Sequence, residues 1–270
     1  MKKLLFVLIA LAMVTGAVAA QDLGLTVGVE FGIENVHREN DGDLMPYLMP
    51  HVIYENSFLD ETLEFYGELA YIVGFFDDYP MDLFAFLELA YNIPVGDICT
   101  LTLFLGNTVD TFAISPRPNE GLGMYSAAWL GVRNNWCTPS GGFYLQGNAT
   151  YSYLHYDSND DNVLGLELTG GWDSNFGFGA SVTPIWSLYP EFGFDEVIVN
   201  LTYYANFIYA GLDVVVPNFD YFDILGLTVI PEVSFNIFGN FFTYFRCRVS
   251  GLFSDHDMIL APALGVRYSF

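Results

Sequence analysis

Beyond position 3 this sequence contains no lysine. Lys2 and Lys3 are the whole complement, and the other basic side chains are six arginines. Against them stand 32 Asp and Glu, so the formal charge is −24, and it becomes −26 if the two lysines are cut away. Such a chain will not seek nucleic acid or a bare anionic surface. Long hydrophobic runs are also missing: nothing after residue 20 reaches the ~18 uninterrupted apolar residues of a spanning helix. Cysteine is scarce. Cys99, Cys137 and Cys247 make an odd number, which leaves at least one thiol unpaired in a monomer. There is no phosphate-binding loop, nucleophile elbow or metal-ligand spacing, so neither an enzyme nor a cofactor is expected. Yet 53% of the residues are hydrophobic and the mean hydropathy is +0.35, which excludes a disordered acidic tail.

Residues 1–20 read as a secretory signal peptide. Lys2 and Lys3 supply the positive region, Leu4 to Val14 the apolar one, and Ala17-Val18-Ala19-Ala20 the small residues for cleavage before Gln21. No Cys follows, which argues against a lipid anchor. Residues 21–270 show no linker or shift in composition and read as one domain.

That domain alternates. From Leu23 to Asn35, Leu23, Leu25, Val27, Val29, Phe31 and Ile33 share one face, and Gly24, Thr26, Gly28, Glu30, Gly32 and Glu34 the other. A period of two is a strand. The same pattern marks 44–55, 61–75, 81–94, 98–110, 123–135, 142–156, 162–172, 176–188, 225–237, 241–253 and 258–270. The apolar run 197–216 is about twice the length a barrel strand needs and breaks at Ala205-Asn206 into two strands. About fourteen strands result, with twelve as the alternative. High hydropathy without an apolar run of helical length suits a transmembrane antiparallel up-and-down β-barrel, in which every second residue faces lipid. A soluble sandwich or lipocalin-like barrel also alternates, but would carry a charged outer face with lysine at its edges.

The last strand reads M-I-L-A-P-A-L-G-V-R-Y-S-F. Met258, Leu260, Pro262, Leu264, Val266, Tyr268 and Phe270 form its oily face. An amphipathic final strand ending on an aromatic residue resembles the closing strand of bacterial outer-membrane β-barrels, the porin-like proteins among them. The resemblance covers the mature chain in pattern, and the signal peptide and last strand in motif. It implies that Tyr268 and Phe270 are the signal read by the barrel-assembly machinery, that this strand pairs with the first, and that the location is the bacterial outer membrane, with its lipid as partner.

Aromatic residues on the oily face gather near strand ends. Tyr54, Tyr91, Trp172, Tyr203 and Tyr268 fall at one level, and Tyr71, Tyr151, Tyr153 and Trp186 at the other, as interfacial girdles do. On the opposite face alternation places Glu30, Glu34, Glu64, Glu68, Glu88, Glu167, Asp213 and Glu232, with Arg133, Arg246, Arg248 and Arg267. These charges line a permeation path for small solutes that prefers cations, or pair into salt bridges that plug a structural or surface-interaction barrel. Inward Tyr66, Phe84, Phe86, Phe104, Tyr125, Trp129, Tyr204 and Tyr244 would narrow the passage or line a route for apolar molecules. Counting back from Phe238-Gly239-Asn240 pairs Glu232 with Arg246. Pro46, Pro50, Pro184, Pro231 and Pro262 fall on the outward face and are expected at bulges or strand ends. The loop 157–162 has oxygens enough for calcium but lacks the Gly and terminal Glu of an EF-hand, so solvation explains it better. Ser152 and His155 differ in parity and cannot form a catalytic pair. Cys99 and Cys137 both fall near one rim and are candidates for a disulfide, whereas Cys247 should be a lone outward thiol.

Overall fold

The computed structural model describes residues 24–38, 41–59, 62–75, 82–113, 122–156, 159–254 and 258–270. The signal-peptide segment and the middle of the loop after residue 113 lie outside them. Fourteen strands run in order: β1 Leu25–Arg38, β2 Asp41–Phe58, β3 Leu63–Gly74, β4 Asp82–Val95, β5 Cys99–Ala113, β6 Leu122–Thr138, β7 Gly141–Tyr156, β8 Asn159–Ser174, β9 Phe178–Tyr189, β10 Gly193–Ala205, β11 Ile208–Pro217, β12 Leu227–Phe238, β13 Phe241–Leu252 and β14 Ile259–Ser269. Each pairs antiparallel with its neighbours in sequence, and β14 pairs with β1 from Thr26↔Ser269 to Gly32↔Ala263. The sheet therefore closes and has no free edge. The expected fold and the larger of the two strand counts are what the chain adopts. Among the described residues no helix is long and apolar enough to cross a membrane. Among the described residues helix follows β11, as a 3-10 turn at Phe219–Tyr221 and a single α-turn at Phe222–Leu225.

Register fixes which side chains share a face. Glu30 lies opposite Gly265 and Met49, His51 opposite Gly28 and Ala70, and Phe104 opposite Ala90 and Gly131. These rows point inward: Glu30 is 0% exposed, Tyr244 1% and Phe104 3%. The alternate rows carry Phe31, Leu87, Leu105, Leu130, Leu145 and Leu264, all large, apolar and exposed. A water-soluble fold would bury that set. Here the apolar belt is outside, and the polar residues and glycines are within.

Several strands run past the expected boundaries. The stretch from His37 to Asp43, read as a loop, is mostly β1–β2 ladder, ending at Arg38↔Asp41. β8 extends to Ser174, through the expected Asp173-Ser174-Asn175 turn, and β10 begins at Gly193 rather than Val197. Backbone pairing does not depend on side-chain hydrophobicity, so a ladder continues into polar sequence once a hairpin has aligned it. The break in the long apolar run is where alternation put it, with β10 ending at Ala205 and β11 starting at Ile208. The β12–β13 turn is tighter than expected. Phe238 pairs with Phe241 around Gly239-Asn240, and Gly239 adopts a φ of 54° that favours glycine. A one-residue shift between Asn236 and Phe238 then restores the expected register, and Glu232 pairs with Arg246.

The prolines correct another expectation. They do not sit at bulges. Opposite Pro50 the β2–β3 pairing stops at Leu48↔Val73 and resumes, in the same register, at His51↔Ala70. Opposite Pro184 the β8–β9 ladder is open between Glu167↔Ile185 and Gly170↔Val182. Opposite Pro231 the β12–β13 ladder is open between Val229↔Val249 and Glu232↔Arg246. At Pro262 the β1–β14 ladder ends. A missing N–H removes bonds toward one neighbour only, and the other neighbour keeps the strand in line without an inserted residue.

Candidate functional site: the lumen

Strands about 4.8 Å apart, tilted by about 40°, put a fourteen-strand wall roughly 14 Å from the barrel axis. Inward side chains from such a wall do not fill the interior as they do in an eight-stranded barrel. What they present is the candidate site.

At the closing seam, β1, β2, β13 and β14 bring together Glu30, Tyr47, His51, Tyr244, Arg246 and Arg267. Arg246 Nη2 donates to Glu30 Oε1 at 2.7 Å, and the Tyr47 hydroxyl donates to the same oxygen at 2.8 Å. The guanidinium of Arg267 stands 4.1 Å above the centroid of the Tyr244 ring, close enough for a cation–π contact. Glu232 pairs with Arg246 across the strands, yet the ion pair goes to Glu30, on the far side of β14. Sequence reasoning put Tyr47 in no role. Its signal is positional, because register sets it beside Glu30 on the inward row.

The other carboxylates are held differently. Asn92 Nδ2 donates to Glu64 at 2.7 Å, the Tyr66 hydroxyl to Glu68 at 3.1 Å, and Trp129 Nε1 to Glu88 at 3.1 Å. Glu167 accepts from Asn148 at 2.8 Å and Thr150 at 3.2 Å, and Asp213 from Asn200 at 2.6 Å. All of these donors are neutral. They orient the acids without cancelling their charge. Arg133 bonds Gln146 at 2.6 Å and stands over Phe104 and Tyr144, and Arg248 bonds Ser250 at 3.1 Å. Glu34 lies on the inward row by its pairing with Met45, and its side chain is outside the described set.

Register adds inward acids that alternation passed over. Glu55 pairs with Tyr66, Asp110 with Tyr125, Asp173 with Gly142, and Glu196 with Ile185. Asp173 had been read as a turn residue and Glu196 lies one residue before its expected strand, whereas Glu55 and Asp110 sit at the last positions of theirs. Keeping parity to the last residue finds Glu55 and Asp110, and running the other two strands on by one residue finds Asp173 and Glu196. A pocket of about 410 Å³ opens at the tight-turn end, lined by Glu55, Asn56, Ser57, Glu64, Phe65, Tyr66 and Glu88.

The inward aromatics narrow the lumen less than their size suggests. Tyr47 lies against Gly32, Phe104 against Gly131, Trp129 against Gly106, Tyr144 against Gly171 and Tyr244 against Gly265. In each case a Cβ on the glycine would collide with the ring. Each glycine is the direct cross-strand partner of its aromatic residue. The rings therefore lie along the wall instead of standing into the bore.

Outside, Tyr54, Tyr91, Trp172, Trp186, Tyr203 and Tyr268 all fall on the outward rows, and Tyr54, Trp172 and Tyr203 contact Phe65, Phe143 and Phe178. Phe270 donates its N–H to Leu25 O at 2.8 Å, and its ring meets that of Tyr268 at 4.5 Å. The candidate disulfide does not form: Cys99, Cys137 and Cys247 are all free thiols. Cys99 pairs with Trp136 while Cys137, one residue on, pairs with Gly142 on the inward row, so parity sends the two thiols to opposite faces. Cys247 faces outward beside Pro262. Ser152 faces inward and His155 outward. Among the described residues no group of His, Cys, Asp or Glu could hold a metal ion.

No protein-family model and no curated protein matches this chain. Solved structures do. Mutants of the porin of Rhodopseudomonas blastica align with it at 10–11% identity, over 91% of this chain and 99% of theirs, with a TM-score of 0.42.

Proposed function

We propose that the protein is an outer-membrane barrel that lets small solutes diffuse passively and prefers cations. The observation that carries this reading is the way the lumen acids are held. Among the described residues, and outside the Glu30–Arg246 pair, their hydrogen-bond partners are Tyr, Trp, Asn and Thr donors rather than arginines. A bore plugged by salt bridges needs charges matched in sign and number. This one keeps an acidic excess facing the axis. The exposed apolar belt supports a bilayer as the surroundings, since so large an oily surface in water would aggregate. Glycine-backed rings support an open bore.

Reversal potential across a tenfold KCl gradient, measured on barrels in planar bilayers, tests the reading. A potential of cation-selective sign is expected. An anion-selective sign rejects the preference, and the absence of current favours a plugged, structural barrel.

A further inference from the structure

One stretch of the lumen is built unlike the rest. On β3, β4 and β6 the rings of Tyr66, Phe86 and Trp129 form a continuous series, with centroids 5.5 Å and then 5.1 Å apart. Register threads carboxylates between them. Tyr66 pairs with Glu88, Glu68 pairs with Phe86, and Glu88 reaches Trp129 across Gly106. The hydroxyl of Tyr66 and the indole N–H of Trp129 each take one oxygen of an acid, Glu68 and Glu88 respectively. Among the described residues the second oxygens have no partner. The Trp129 ring lies on Gly106, where a Cβ would collide with it. No arginine occurs on β3, β4 or β5. The arginine of β6, Arg133, is turned to Gln146 and to other rings. The 410 Å³ pocket shares Tyr66 and Glu88 with this wall and has room for a small organic molecule.

We propose that the β3–β6 wall binds organic cations, an ammonium or guanidinium group on an apolar or aromatic body, as they cross the barrel. This rests on the cation-preferring passage argued above and names its substrate class. A bare metal ion would use the carboxylates and gain little from the rings. A neutral apolar molecule would cover Glu68 and Glu88 and strip their water without offering a partner. An organic cation satisfies both halves: its charge meets the free carboxylate oxygens, and its body or its charge meets the ring faces.

The test uses benzylammonium as probe, with benzyl alcohol as its neutral isostere and methylammonium as its ringless one. Added to single barrels carrying K⁺ current, benzylammonium should interrupt the current at concentrations where the other two do not. Trp129→Leu, which removes no charge, should shorten those interruptions about tenfold. Glu88→Gln should shorten them as well. Equal behaviour of benzylammonium and methylammonium in a cation-selective barrel overturns this inference and spares the passage. If the barrel carries no current, equilibrium binding to the folded protein in detergent, by calorimetry, decides alone. Binding lost in Trp129→Leu supports the wall, and no preference over benzyl alcohol overturns it. Phe86→Leu serves in the same role if Trp129→Leu fails to fold.

Discussion

Glu30 shows how far a single residue can and cannot be read from the sequence. Alternation placed it inside, and it is wholly buried. Its partner was not legible. In-register counting joined Arg246 to Glu232, which is its pairing neighbour, but the long arginine side chain reaches across β14 to the acid that water cannot reach. Glu30→Ala should strand Arg246, which is 37% exposed, and release the Tyr47 hydroxyl. Removing one partner of a buried pair costs about 3–5 kcal/mol, and partial exposure of the arginine cuts that to about 1–3 kcal/mol. A lower urea midpoint for barrels in lipid vesicles is the expected readout, and an unchanged midpoint would show the pair to be idle. Glycine makes a second residue-scale case. Gly265→Ala collides with the Tyr244 ring, whereas Gly170 has nothing within 4 Å. The first should destabilise by about 1–3 kcal/mol and Gly170→Ala by much less. Adding Tyr244→Ala to Gly265→Ala should recover part of the loss, as a double-mutant cycle on the same urea curves would show.

Strands were the most legible elements because barrel strands repeat their pattern with nothing to override it: one face must be oily along the whole apolar belt. Their ends were less legible, since hydrogen bonding carries the ladder past the oily stretch, and two acids missed by alternation, Asp173 and Glu196, lie in those extensions. The free thiols make the same point about parity. Closeness along the rim suggested that Cys99 and Cys137 could join, and a difference of one pleat forbids it. The closing strand carries an element-scale prediction. Phe270 meets the Tyr268 ring edge-on and donates its N–H to Leu25, a bond that fastens β14 to β1. Deleting it, or Phe270→Ala, should reduce assembly far more than a comparable change in a loop. Heat-modifiable protein in the outer-membrane fraction measures this, and normal levels would refute it.

For the molecule as a whole, sign and asymmetry of charge were legible from composition, and the neutral tethering of the acids was not, because it depends on Tyr66, Asn92, Trp129 and Asn148 lying opposite particular strands. If the bore is open, its fixed carboxylates act through a field that salt screens. The Debye length is about 30 Å at 0.01 M, longer than any radius here, and about 3 Å at 1 M. Cation preference should therefore be strongest in dilute KCl and flatten as salt rises, and Glu64→Gln with Glu68→Gln should weaken it at low salt. A reversal potential indifferent to ionic strength would point to a steric origin instead. The wall also has a mechanical grain. β14 is laced to β13 from Ser250↔Ile259 down to Phe241↔Tyr268, but to β1 only below Pro262, whose absent N–H ends that seam early. Tension applied at the carboxy-terminus will find the shorter lacing first. The barrel should then tear open between its first and last strands and surrender β13 and β14 together as a hairpin. Force–extension traces of single barrels pulled from a bilayer would record that as one initial rip two strands long.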